Sequence, residues 1–147
     1  MKKIYVAHPF EGKELNKLRI DEICRKIVKL GAMPISPVHM FGFMNDANPF
    51  DRKRALEFCE EIIQYCNEFW LCGEWEKSEG CQAEALVALS ELITIRVVVG
   101  WDGDEPLFVE KGGNHHAKTT PANHERRGIR GSAGPDHAGC VGQSRRI

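Results

Sequence analysis

Apolar positions in the first 110 residues alternate between two spacings, and the switches between them mark out strands and helices. Ile4–Ala7 is a short continuous apolar run ended by His8-Pro9, which predicts a buried strand. From Glu14 to Leu30, Ile20, Ile23, Cys24, Ile27 and Val28 recur at helical spacing, and Gly31 follows as a stop. Met33-Pro34-Ile35 reads as a brief second strand. Ser36 to Asn48 holds Pro37, Gly42 and Asn45-Asp46 without a period, and reads as a long loop. Asn48-Pro49 has the form of an N-cap followed by proline at the first helical position. Ala55, Cys59, Ile62, Ile63 and Cys66 then continue the buried face of that helix. Phe69–Cys72 predicts a third strand, Gln82–Leu92 a third helix and Ile95–Val99 a fourth strand.

That order implies an α/β fold: a flavodoxin- or Rossmann-like three-layer domain. Its parallel sheet would have four to five strands in an order of about 2-1-3-4, joined by right-handed crossovers. Ligands of such sheets bind beyond the carboxyl ends of the strands, where strand order reverses. Here that point falls between the first and third strands and would set His8–Phe10 beside Gly73–Gly80.

Composition narrows the class. The 147 residues are 42% hydrophobic, enough for a core of one domain. No apolar run approaches the roughly 18 residues that span a bilayer, so a membrane protein is not expected. The start Met-Lys-Lys lacks the apolar stretch of a secretory leader, and the chain reads as cytoplasmic. Six cysteines without a C-x-x-C pair fit a reducing compartment and buried thiols. Residues 1–110 carry 13 basic and 19 acidic side chains, a net charge of −6, against a basic remainder of +5. An acidic body argues against a nucleic-acid-binding surface. Residues 111–147 hold seven glycines and four histidines without apolar periodicity, and read as a disordered basic Gly/His-rich tail. His115, His116, His124, His137 and Cys140 in it match no known metal-site spacing.

Candidate chemistry gathers at Ser78-Glu79-Gly80-Cys81-Gln82-Ala83-Glu84, between the third strand and the helix after it. Read at the first turns of that helix, Glu84 would gain from the positive helix end, which favours the ionised form a nucleophile needs. With Glu79 as a second acid, the pair suits displacement at a sugar anomeric carbon. A lone G-x-x-x-E is more often an ordinary solvated helix-start acid, so the pattern does not decide by itself. Tyr5, in a buried strand, is either core or a partner that orients a carboxylate. His8 precedes a proline and is held extended at a strand end. Loop 36–48, with Met40, Phe41, Phe43 and Met44, offers an apolar lid.

Lys3-Ile4-Tyr5-Val6-Ala7-His8-Pro9-Phe10, Ile35-Ser36-Pro37, Cys66–Gly73 and Ser78-Glu79-Gly80 with Glu84 resemble the nucleoside 2-deoxyribosyltransferase-like superfamily. The closest likeness is to its small bacterial and phage members, the DUF4406-type domains. The resemblance covers residues 2–100. It implies a glutamate nucleophile at Glu84 and an orienting tyrosine at Tyr5, beside which Glu79 is read as a candidate acid or ribose-hydroxyl acceptor. His8, Pro9, Phe10, Ser36, Gly73, Ser78 and Gly80 would contact a nucleoside or nucleotide. It also implies a homo-oligomer, dimer or higher, and no metal or redox cofactor. The chain departs from the transferases where Ser78 and Glu79 stand in place of a loop aspartate, and where Asn67 stands in place of another. A non-catalytic sensor of a nucleotide-derived ligand is the alternative on the same fold.

Overall fold

The computed structural model describes residues 1–45 and 47–109; the reading of residues 111–147 as a disordered tail lies outside them. Five strands form one sheet in the order β2-β1-β3-β4-β5. They are β1 (Lys3–Ala7), β2 (Met33–Ile35), β3 (Glu68–Leu71), β4 (Thr94–Asp102) and β5 (Glu105–Phe108). Four helices join them: α1 (Glu14–Lys29), α2 (Pro37–Met40), α3 (Pro49–Ile63) and α4 (Glu79–Ser90). Strands β1 to β4 are mutually parallel, whereas β5 returns antiparallel to β4. The sheet is therefore not purely parallel, which corrects the expectation. Gly103-Asp104, the two residues between Asp102 and Glu105, make the tight hairpin that adds this edge strand.

Alternation along β1 divides the core between the two faces of the sheet. Tyr5 and Ala7 pack with Phe69, Leu71, Cys59 and Ile63 on the α3–α4 side. Ile4 and Val6 pack with Ile23, Ile27, Trp70 and Cys72 on the α1 side. Ile4, Ile20, Ile27 and Ile63 are among the largest fully buried side chains, each worth roughly 1.5–3 kcal/mol of burial. Helix α1 ends as its sequence predicts: Gly31 takes φ +75°, Gly31 N–H donates to Val28 and Ala32 N–H to Ile27. Helix α4 closes with the same bonds, Leu92 N–H to Leu89 and Ile93 N–H to Ala88. There a leucine at φ +57° occupies the position that favours glycine.

Two local expectations change. The loop read over 36–48 contains the one-turn helix α2. Helix α4 starts at Glu79, three residues before the predicted Gln82, because the Ser78 hydroxyl accepts from the Cys81 N–H at 3.3 Å and caps it. Asn48 caps α3 as read, its side chain accepting from Phe50 N–H at 2.9 Å. Among the described residues no helix is long and apolar enough to cross a membrane.

Candidate functional site

Strands β1 and β3 run side by side, with Tyr5 opposite Phe69 and Ala7 opposite Leu71. Their rings stack at 5.0 Å and 10°. Both strands stop at the same level, so the segments after them form the floor of a cavity of about 390 Å³. Helix α4 contributes Glu84, Gly80 and Cys81; α3 contributes Asp51, Arg52, Ala55, Leu56 and Cys59; α2 and the turn after it contribute Val38, Phe41 and Met44.

Glu84 is the central acid. As the sixth residue of α4 it lies on the second turn, beyond the reach of the helix-end charge. Burial dominates instead. It pushes the Glu84 carboxyl up to about 7, and hydrogen bonds from Tyr5 and Cys59 offset only part of the rise. The expected lowering by the helix terminus is thereby overturned. Tyr5 is 0% exposed, and its hydroxyl donates to Glu84 Oε1 at 2.9 Å. Burial and then the Glu84 charge raise the Tyr5 phenol well above 10, so it stays protonated and serves as a donor. The Cys59 thiol, raised by burial and by Glu84 to about 12, is likewise a neutral neighbour.

His8 lines the cavity from the end of β1. Burial lowers its imidazole, and Nδ1 lies 2.7 Å from the Pro9 carbonyl oxygen. A carbonyl only accepts, so Nδ1 carries the hydrogen and Nε2 is the lone-pair atom. Gly73, at φ +65°, passes so close that a Cβ there would sit 2.6 Å from His8 Nε2. Gly73 therefore makes room for the histidine ring and is not itself on the cavity wall. Pro9 is also off the wall and serves through its carbonyl. Ser36 lies in a second hollow behind α2. Phe10, Ser78 and Gly80 do line the cavity.

Glu79 lines it too, but its side chain is 94% exposed and faces Arg52 at 3.9 Å. Lys77, also at the mouth, is paired with Glu74 at 2.6 Å. Of the apolar lid residues, Phe41 and Met44 reach the cavity, while Phe43 is solvent-exposed and Met40 lies at the second hollow.

From the sequence Cys59 reads only as a small residue on the buried face of its helix. Its spacing from Arg52 and Ala55 along α3 is the helical repeat that places all three on the cavity side, and that phase was the available signal.

No curated protein matches the chain. The family described as Domain of unknown function (DUF7768) matches residues 2–98, which takes in β1 through most of β4 and every helix that lines the cavity. On that match, the chain belongs to the DUF7768 family of domains of unknown function.

Proposed function

We propose that this domain is a flavodoxin-like, nucleoside 2-deoxyribosyltransferase-like enzyme. It binds a nucleoside or nucleotide in the Glu84 cavity and cleaves or exchanges the N-glycosidic bond. One observation carries the reading: a partly buried carboxyl, held by the hydroxyl of a buried tyrosine, on the wall of a cavity at the carboxyl ends of two adjacent parallel strands. Its volume of about 390 Å³ falls within the roughly 300–1,000 Å³ of small-molecule sites. Tyr5 engages Oε1, which leaves Oε2 for the anomeric carbon. Glu84 forms the C–O bond as the C–N bond breaks, and the leaving base takes a proton from Glu79 or solvent. Water or a second base then resolves the glycosyl ester. Phe41 and Met44 exclude water, and Tyr5 keeps the carboxylate oriented. The site sits in a chain we read as cytoplasmic and, by the resemblance, oligomeric.

A second reading, a non-catalytic sensor, is favoured by one feature. Glu79 is turned outward to Arg52, so the acid expected to protonate the leaving base stands in solvent. Incubation with a panel of nucleosides and 5′-monophosphates separates the two. Release of free base, lost in Glu84→Gln while ligand still binds, supports catalysis. Tight binding with no base released from any member sinks it in favour of the sensor.

A further inference from the structure

Away from the Glu84 cavity, three polar side chains form one hydrogen-bonded chain. His39 of α2 meets the Ser36 hydroxyl through Nδ1 at 2.8 Å and the Asp21 carboxylate of α1 through Nε2 at 2.6 Å. A carboxylate oxygen accepts, so Nε2 carries a hydrogen and donates it to Asp21. In the neutral ring Nδ1 then holds the lone pair, and the hydrogen of that contact comes from the Ser36 hydroxyl. Asp21 thereby sets the tautomer that aims the serine proton at a base. Helix capping does not use this oxygen: Ser36 is the N-cap of α2, yet its side chain makes no capping bond.

All three side chains line a second hollow of about 380 Å³, together with Cys24, Arg25 and Met40. Ser36 is only 5% exposed, which shelters its oxygen from bulk water. His39 and Asp21 are more open, at 39% and 24%, so a small molecule can reach the base.

We propose that this hollow is an acyl-transfer site for small carboxylic esters. Ser36 is its nucleophile, His39 its general base, and Asp21 the residue that positions the base. The ring is turned relative to the familiar serine-hydrolase arrangement, with Nδ1 toward the hydroxyl; the bond at Nε2 leaves the lone pair on Nδ1, where the base is needed. Ser36 Oγ bonds to the ester carbon as its proton passes to His39 Nδ1. The tetrahedral adduct collapses, the ester C–O bond breaks, and Nδ1 returns the proton to the leaving alcohol. Water repeats the sequence on the acyl-serine, releasing the acid and restoring the hydroxyl. Arg25 puts a positive charge at the wall, where it can stabilise the oxyanion.

The test is to treat the full chain with a fluorophosphonate, map the adduct by mass spectrometry, and follow p-nitrophenyl acetate hydrolysis. A single adduct on Ser36 is expected, with hydrolysis falling by about 10²-fold or more in Ser36→Ala and His39→Gln. Asp21→Asn should slow it and shift its pH profile. No adduct on the wild-type Ser36, an adduct on Cys24 instead, or labelling unchanged in His39→Gln would overturn the proposal. The trio would then only tie α1 to α2. The wild-type labelling decides by itself, so a variant that fails to fold does not spare the idea.

Discussion

Two glutamates, Glu68 and Glu84, are both withdrawn from solvent and end in opposite electrostatic states. Glu68 stands at the start of β3, 7% exposed. Its carboxylate meets Lys2 at 2.8 Å and Arg96 at 3.1 Å, and accepts from Trp70 Nε1 at 2.8 Å. Burial pushes this carboxyl up, but Lys2, Trp70 and Arg96 together hold it below its ordinary value. Glu84 has only a neutral hydroxyl and a neutral thiol, and rises to about 7. Burial alone does not settle the charge of an acid; the partners do. Glu68 joins strand ends as a satisfied ion cluster. Glu84 is left without a charged partner, which costs stability and is the environment the proposed reaction would need.

The largest expected effect comes from Glu84→Gln. On the proposed reaction, base release should fall by on the order of 10³-fold or more, since the proposed nucleophile is gone while the shape stays. Stability should move the other way. The folded carboxyl titrates near 7 against an unfolded value near 4.5, so the native state binds the extra proton. Wild-type stability is then lost as pH rises from about 4.5 to about 7, by roughly 3 kcal/mol at about 1.36 kcal/mol per unit. Urea unfolding should find Glu84→Gln level with wild type at pH 4.5 and more stable at pH 8. Equal stability at both would mean Glu84 is not desolvated.

Tyr5→Phe comes next. It removes the donor on Oε1, and base release should fall by about 10- to 100-fold, as for a hydrogen bond to a charged group worth about 1.5–3 kcal/mol. Wild-type base release should rise with pH through about 7 as Glu84 ionises. In Tyr5→Phe that midpoint should move higher, because a bond that lowers the carboxyl is lost. An unmoved midpoint would reduce Tyr5 to core packing.

Glu68→Gln tests the other side. It should destabilise the fold by about 1–3 kcal/mol and leave base release per folded molecule unchanged. The sign for Glu68 is opposite to that for Glu84: its stabilisation is present above about pH 4.5 and lost as pH falls, a slope the variant should lack in acid unfolding. Lys2→Met should have the smallest effect, within about 1 kcal/mol, because the Lys2 side chain is half exposed.

Much of the fold was legible in local pattern. Helix α1 announced its face through Ile20, Ile23 and Ile27 and its end through Gly31. Asn48-Pro49 announced the start of α3. Less visible was β5, whose Glu-Pro-Leu-Phe is too short to show a period, although Gly103-Asp104 is a hairpin signal. The start of α4 lies before the helical pattern that sets in at Gln82, and only the Ser78 cap shows that the helix runs back across Gly80. In the site, Tyr5 and Glu84 were legible as a pair only through the resemblance. Cys59 was legible only as part of the inward face of α3, and Leu56 and Val38 not at all, since nothing local separates a residue facing a cavity from one facing the core.

By itself the sequence determined the first four strands, their parallel order and the three long helices, because periodicity and caps act within a few residues. The charge states belong to the tertiary structure. Tyr5 and Glu84 are 79 positions apart, and only the pairing of β1 with β3 and the packing of α4 over them bring the hydroxyl to 2.9 Å of the carboxylate. Desolvation depends on everything that surrounds a group in space. For that reason a glutamate read as an ionised helix-start acid becomes, once folded, one that titrates near neutrality.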